Sequence, residues 1–195
     1  MNRQNGFSLI EAMVTMGIAA IVLSMGVPAF QSYSQNSRQT IAINELATAL
    51  QLARNSAVAR RQPVTLCKSP NGINCVTGGA SGDWSQGWMM FTNPNDIDGT
   101  AGLTPGTEAL LRVHGALQGN ATLVGTGPVV HQITFMPQGR INNGFGGTIT
   151  HCDSRGNTAA TALVISIGGQ VRQAKDTNGD GIVENGGGAP VPCPA

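Results

Sequence analysis

Gly6-Phe7-Ser8-Leu9-Ile10-Glu11 opens an apolar run that continues to Val27 and contains one charged side chain, Glu11. A helix of about 21 residues rises about 1.5 Å per residue, enough to cross a bilayer core of roughly 30 Å. A carboxylate in such a segment costs on the order of 2.5 kcal/mol or more, so it calls for a partner. Ahead of the run stand Met1 to Gly6, with Arg3 as their one basic side chain. An ordinary secretory signal is cut behind its apolar run. Here the peptide bond between Gly6 and Phe7 precedes it, and a cut there keeps the helix and makes a new amine four residues from Glu11. Two plainer readings stay open at this point: an uncleaved membrane anchor, and secretory cleavage behind Val27-Pro28-Ala29, where small residues occur.

The G|FSLIE stretch, with Pro28 near the end of the apolar run, resembles the class III signal of type IV pilins and type II secretion pseudopilins. The resemblance implies that a prepilin peptidase cuts after Gly6 and that Phe7 is N-methylated. It further implies that Glu11 meets the Phe7 amine of a neighbouring subunit in a filament. A buried carboxylate is tolerable when a buried cation faces it.

The chain has 195 residues, room for about one domain beyond the apolar run. Only 11% of residues are charged and the net charge is +1, too neutral for bulk electrostatic capture of nucleic acid. The 27 glycines suit a loop-rich β domain. Four cysteines without a C-x-x-C spacing favour two disulfides over a zinc site in an exported domain.

After Pro28, the stretch from Gln31 to Gln62 places Ile43, Leu46, Leu50, Ala53 and Ala57 three or four residues apart, one face of a helix. Arg38, Glu45, Arg54, Arg60 and Arg61 fill the solvated remainder, and Pro63 ends it. Short β-like runs follow: Val64–Cys67, Trp88–Thr92, Ala109–Val113, Ala121–Val124, Val130–Met136, Thr148–Cys152, Ala162–Ile167 and Gln170–Ala174. The last two flank Gly168-Gly169, a two-residue hairpin signal. The expected fold is α+β, type IV pilin-like: a long N-terminal helix, transmembrane in its first half, packed on an antiparallel β-sheet domain. The expected segments are a 1–6 leader, a 7–29 transmembrane and filament-core helix, a 30–62 amphipathic helix, and a 63–195 periplasmic β-rich domain.

Asp83-Trp84-Ser85-Gln86-Gly87-Trp88-Met89-Met90-Phe91 resembles the W-x-x-G-W-x-x-F signature of the GspH/FimT family of minor pilins and secretion pseudopilins. Thr92 to Gly99, Ile133 to Arg140 and Ile167 to Arg172 are similar to further blocks of that family. The aromatics Trp84, Trp88 and Phe91 are read as core side chains on a strand that define the fold. The resemblance implies a single-pass protein of the bacterial inner membrane, its soluble domain periplasmic, which moves into a pilus or pseudopilus. Its partners would be other major and minor pilins or pseudopilins, the prepilin peptidase, an inner-membrane assembly platform and membrane lipid.

Pairing by proximity joins Cys67 to Cys75 and Cys152 to Cys193, although four cysteines permit three connectivities. The second bridge would pin the Gly/Pro-rich tail from Gly186 to Ala195, which cannot hold itself down. Just before it, Asp176, Asn178, Asp180 and Glu184 offer side-chain oxygens at positions 1, 3, 5 and 9, with the Ile182 carbonyl at 7. This set suits Ca²⁺, which takes six to eight oxygens. An EF-hand has its Glu at position 12, so the stretch resembles instead the shorter calcium loops of some extracellular proteins. An acidic turn in water is the plainer alternative. Asn93, Asn95, Asp96 and Asp98 form a weaker version. No cofactor is required by this reading; structural calcium is the one candidate.

His114, His131 and His151 lie in or beside apparent strands, and no P-loop, G-x-S-x-G elbow or H-E-x-x-H accompanies them. The chain therefore reads as a substrate of processing enzymes and not as an enzyme. The rival reading is DNA binding. Some FimT-type pilins carry a G-R-x-R motif for it; here Gly169-Gln170-Val171-Arg172 keeps the second Arg and replaces the first by Gln170. Arg172 and Lys175, helped by Arg140 and Arg155 if near, would be the phosphate contacts. Asp176, Asp180 and Glu184 oppose them unless calcium neutralises the loop.

Overall fold

The computed structural model describes residues 8–76, 83–94, 108–142 and 146–193. Among these residues one α-helix, α1 (Leu9–Arg60), is followed by eight strands: β1 (Val64–Lys68), β2 (Trp88–Thr92), β3 (Leu110–His114), β4 (Thr122–Thr126), β5 (Gln132–Phe135), β6 (Gly147–Cys152), β7 (Thr161–Ile165) and β8 (Val171–Gln173). The chain divides into two units, residues 1–38 and 39–195.

In the first unit every residue from Ser8 to Tyr33 is exposed, and these are mostly Leu, Ile, Val, Met and Ala. Pro28 lies inside α1 without ending it. Proline forfeits one backbone bond and is tolerated where the flanking turns hold.

The second unit begins at Gln39 and contains the remainder of α1. Here Ala42, Ile43, Leu46, Ala49, Leu50, Ala53 and Ala57 are buried, a single stripe at helical spacing. The small Ala side chains let the backbone approach the sheets. Arg61 ends the helix in the left-handed region, φ 54°, and Pro63 forbids its resumption.

As expected, the helix packs on antiparallel β structure, and the strands form two four-stranded sheets. Sheet A has the order β3-β2-β1-β5 and sheet B the order β4-β6-β7-β8. The α1 stripe meets both. Its core joins Val64, Leu66, Trp88, Met90, Ile133 and Phe135 from sheet A to Leu123, Ile149, Leu163 and Ile165 from sheet B. Because side chains alternate along a strand, the next residues point the other way. Cys67, Met89 and Phe91 make a second cluster behind sheet A with Cys75. Cys152, Ala162, Val164, Ala174 and Val191 make a third behind sheet B, flanked by Ile182, Val183 and Cys193. Each sheet thus buries apolar side chains on both faces; disulfide-bonded Cys75 packs against the outer cluster of sheet A, and Ile182, Val183 and disulfide-bonded Cys193 against that of sheet B.

Trp84 departs from the expectation of a strand aromatic. It sits on a 3₁₀ turn, Trp84–Gln86, and is wholly buried with its indole N–H donating to the Val129 carbonyl at 3.1 Å. Trp88 and Phe91 are strand residues and buried. Gly87, between Trp84 and Trp88, has φ 115°, and a Cβ there would lie 2.7 Å from the His114 carbonyl oxygen, so the motif position takes glycine only. The β7–β8 connection also differs from the two-residue hairpin expected at Gly168-Gly169. The Ser166 N–H donates to the Gln170 carbonyl, leaving a three-residue loop that holds Ile167 in solvent. Gly169 takes the left-handed position, φ 73°, that such a loop demands.

Candidate functional site

Glu11 lies in the first turn of α1, where the helix N-terminus favours a carboxylate. Its backbone N–H donates to Ser8 Oγ at 3.3 Å. Among the described residues its carboxylate has no ion-pair partner. Gly6 and Phe7 lie outside the described residues.

The tail loop follows β8. Asp176 Oδ1 accepts from the Gly179 N–H at 2.7 Å and Oδ2 from the Gly181 N–H at 2.9 Å. Asn178 Oδ1 accepts from the Asp180 N–H, and Asp180 Oδ1 from the Ile182 N–H. Donation from Gly179 and Gly181 holds the Asp176 carboxyl below the usual carboxylate range. Asp176 and Asp180 are exposed, whereas Glu184 is buried. Its Oε2 accepts from the Thr177 N–H at 2.7 Å and from Thr177 Oγ1 at 3.0 Å. Of the weaker acidic stretch, Asn93 is buried and donates to Thr65 Oγ1, which spends its side chain on the fold. Asn95, Asp96 and Asp98 lie outside the described residues.

Cys67 is bonded to Cys75 and Cys152 to Cys193, each with Cα atoms 5.6 Å apart. The tail returns after the loop: the Val191 N–H donates to the Val183 carbonyl, and the Cys193 N–H to Asn157 Oδ1.

Arg172 lies on β8, an edge strand, and both it and Lys175 are exposed. Gln51, Arg54, Asn55, Gln170 and Arg172 line a shallow cleft beside the 166–170 turn. Arg54 braces that turn, donating from Nε to the Gly139 carbonyl and from Nη2 to the Gly168 carbonyl. Arg155 is spent differently. Its Nη2 lies 2.6 Å from Asp153 Oδ2, and the pair holds the Asp153 carboxyl below its ordinary range. Arg140 is exposed.

Compared with known proteins, residues 42–169 match the family described as type II transport protein GspH. That span covers sheet A, sheet B apart from β8, and the whole of the buried helix stripe. The chain belongs to the GspH family. Residues 1–27 match the prokaryotic N-terminal methylation motif. Among curated relatives, prepilin peptidase-dependent protein D of Escherichia coli is 34% identical over 83 residues, covering 42% of this chain and 49% of that protein. A fimbrial protein of Pseudomonas aeruginosa is 31% identical over 70 residues, covering 36% and 45%. The chain thus spans about half the length of these relatives. The crystal structure of the Pseudomonas aeruginosa type IV minor pilin FimU superposes with a TM-score of 0.54 at 21% identity, covering 73% of this chain and 92% of that one. The fold is that of a type IV minor pilin, and this GspH-family member carries the methylation motif in front of it.

Within the family signature the most connected side chain is Asp83, which the motif reading passed over in favour of its aromatics. Asp83 Oδ1 caps the 3₁₀ turn through the Ser85 N–H at 2.9 Å and also accepts from the Leu123 N–H at 2.5 Å. It ties the signature loop to sheet B. An Asp two residues before a Ser is a recognisable cap signal. Its link to Leu123 has no local signature. His114, on β3, stacks on Trp88 at 4.0 Å and its Nε2 lies 3.2 Å from Glu45 Oε2, joining the edge of sheet A to the helix.

Proposed function

We propose that this GspH-family chain is a structural minor pilin or pseudopilin. A prepilin peptidase cuts it between Gly6 and Phe7 and methylates the Phe7 amine. The first half of α1 then holds it as a single-pass protein in the bacterial inner membrane, with the soluble domain in the periplasm. An assembly platform transfers it into a type IV pilus or a type II secretion pseudopilus beside other pilins. The observation that carries this reading is the exposed helix from Leu9 to Val27, predominantly apolar and carrying a single charge, the Glu11 carboxylate. Such a surface is stable only under lipid or against other apolar helices. A lone carboxylate within it calls for a cation from outside the helix. The Phe7 amine of a neighbouring subunit supplies one.

Glu11→Ala tests the pairing. The variant should accumulate in the membrane with an unchanged soluble domain and be depleted in sheared filaments or crosslinked assembly intermediates. Wild-type incorporation of Glu11→Ala would remove the pairing role. A mature chain shown by mass spectrometry to lack the apolar helix would remove the whole reading.

DNA capture is the second reading. It is supported by the exposed Arg172 on the rim of a cleft that Arg54 also lines, although the Arg54 guanidinium already donates to the Gly139 and Gly168 carbonyls. A gel shift that weakens with salt and is lost in Arg172→Ala would establish it.

A further inference from the structure

The loop from Asp176 to Glu184 holds charge that its own side chains leave unbalanced. One carboxylate oxygen from each of Asp176, Asp180 and Glu184 lies within 4.8 Å of the others. Calcium–oxygen bonds are about 2.4 Å long, so oxygens up to about twice that distance apart can share one ion. Among the described residues no basic side chain forms an ion pair with any of the three.

Glu184 adds an independent observation. The residue is only 5% exposed. Its Oε2 is occupied by Thr177, but its Oε1 is buried with no hydrogen-bond donor. A buried carboxylate oxygen without a partner carries an uncompensated desolvation cost. A cation shared with Asp176 and Asp180 removes that cost and the mutual repulsion together.

We propose that Asp176, Asp180 and Glu184, with the Asn178 side chain and the Ile182 carbonyl completing the oxygen set, form a structural Ca²⁺ site that locks the C-terminal tail onto sheet B. Three carboxylates and further neutral oxygens suit calcium, whereas Mg²⁺ keeps most of its waters and demands a tighter octahedron. The loop is already shaped by backbone donation to Asp176, Asn178 and Asp180, so little ordering remains when the ion arrives. The position explains the role. The Glu184 N–H bonds the Lys175 carbonyl, and the Val191 N–H returns to the Val183 carbonyl. An ion at Glu184 therefore fixes the fork from which the tail sets out towards Val191 and Cys193.

The experiment uses the full-length chain in detergent micelles, stripped with chelator and titrated with CaCl₂. One saturable site is expected, with an affinity in the range of extracellular calcium modules, a Kd of roughly 10⁻⁴–10⁻³ M. At tenfold excess over Kd the melting temperature should rise by roughly 3–6 °C. Hydrogen exchange at the Val191 amide should slow in parallel. Asp180→Asn keeps the acceptor for the Ile182 N–H on an exposed side chain, so it should fold as wild type in chelator and bind calcium about tenfold more weakly or worse. Glu184→Gln should abolish the response; if that buried change prevents folding, Asp180→Asn decides. Absence of saturable binding up to about 10 mM Ca²⁺, an equal response to MgCl₂, or unchanged affinity in Asp180→Asn would overturn the site.

Discussion

Replacing Asp83 by alanine should destabilise the domain by about 2–4 kcal/mol. Two contributions make up that figure. The Ser85 N–H loses its cap, which is worth about 1 kcal/mol at a typical helical start. The larger part comes from Leu123, a wholly buried residue on β4. Because β4 is an edge strand among the described residues, alternate N–H groups face away from its partner, β6, and Asp83 Oδ1 takes the one at Leu123. Truncation leaves that donor buried and bare, at about 1–3 kcal/mol. Asp83 also faces Lys68, whose ammonium is pushed below the usual lysine range by burial and drawn back up by the Asp83 charge. The assay is urea unfolding of the full-length chain in micelles, followed by the fluorescence of Trp84 and Trp88, the only two tryptophans. Both are buried in the domain and report its opening. With an ordinary urea slope the midpoint should fall by about 1–2 M. Asp83→Asn retains an oxygen able to accept from both N–H groups and should lose less than half as much. A shift below about 0.3 M for the alanine variant, or an asparagine variant as unstable as alanine, would refute the argument that the bridge to Leu123 carries the effect.

Opening the Cys152–Cys193 bridge by a double serine substitution should cost about 4 kcal/mol from chain entropy, given its sequence separation of 41, and should free the Val191 amide to exchange. Opening Cys67–Cys75, with a separation of 8, should cost less, about 2.6 kcal/mol, by the same denaturation assay. Burial pushes His151 below its ordinary pKa, and burial followed by the Lys68 charge does the same to His131. Both groups bind fewer protons folded than unfolded, so stability should be level above about pH 7 and fall as the pH drops below about 6.5. His131→Gln combined with His151→Gln should flatten that decline between about pH 6.5 and 5, and an unchanged slope would reject the assignment. Gly87→Ala should unfold the signature loop, since it combines a positive φ with a clash against the His114 carbonyl, read as a loss of cooperative unfolding.

The helix was open to reading from residue types alone because its two halves carry different patterns. Leu9 to Val27 carries apolar side chains on every side with Glu11 its one charge, and Ile43, Leu46, Leu50, Ala53 and Ala57 make a stripe, which is the difference between a surface and a seam. The strand runs were equally plain from their Val, Ile and Thr content, while their sorting into two sheets was not. Strands β1 and β2 are buried along their whole length, so they lack the alternation that would tell one face from the other. The turn at Ser166–Gln170 shows a related limit. Two adjacent glycines mark where the chain reverses, but the register of β7 on β8 sets how many residues the reversal takes. Asp176, Asn178 and Asp180 could be picked out by spacing. The burial of Glu184 could not, because it follows from the tail folding back through Val191.

The apolar cluster on each sheet's outer face is met by a strap of irregular chain fastened by sulfur, through Cys75 on sheet A and through the tail to Cys193 on sheet B. Such fastenings close only in an oxidising compartment. On the function proposed above, the polypeptide before export would have its helix seam and strands but two loose straps, with Met89, Phe91, Ala162 and Val164 intermittently wetted. On that same reading, completion of the domain would be deferred until the chain had crossed the bilayer, and an unexported copy would be left unfinished.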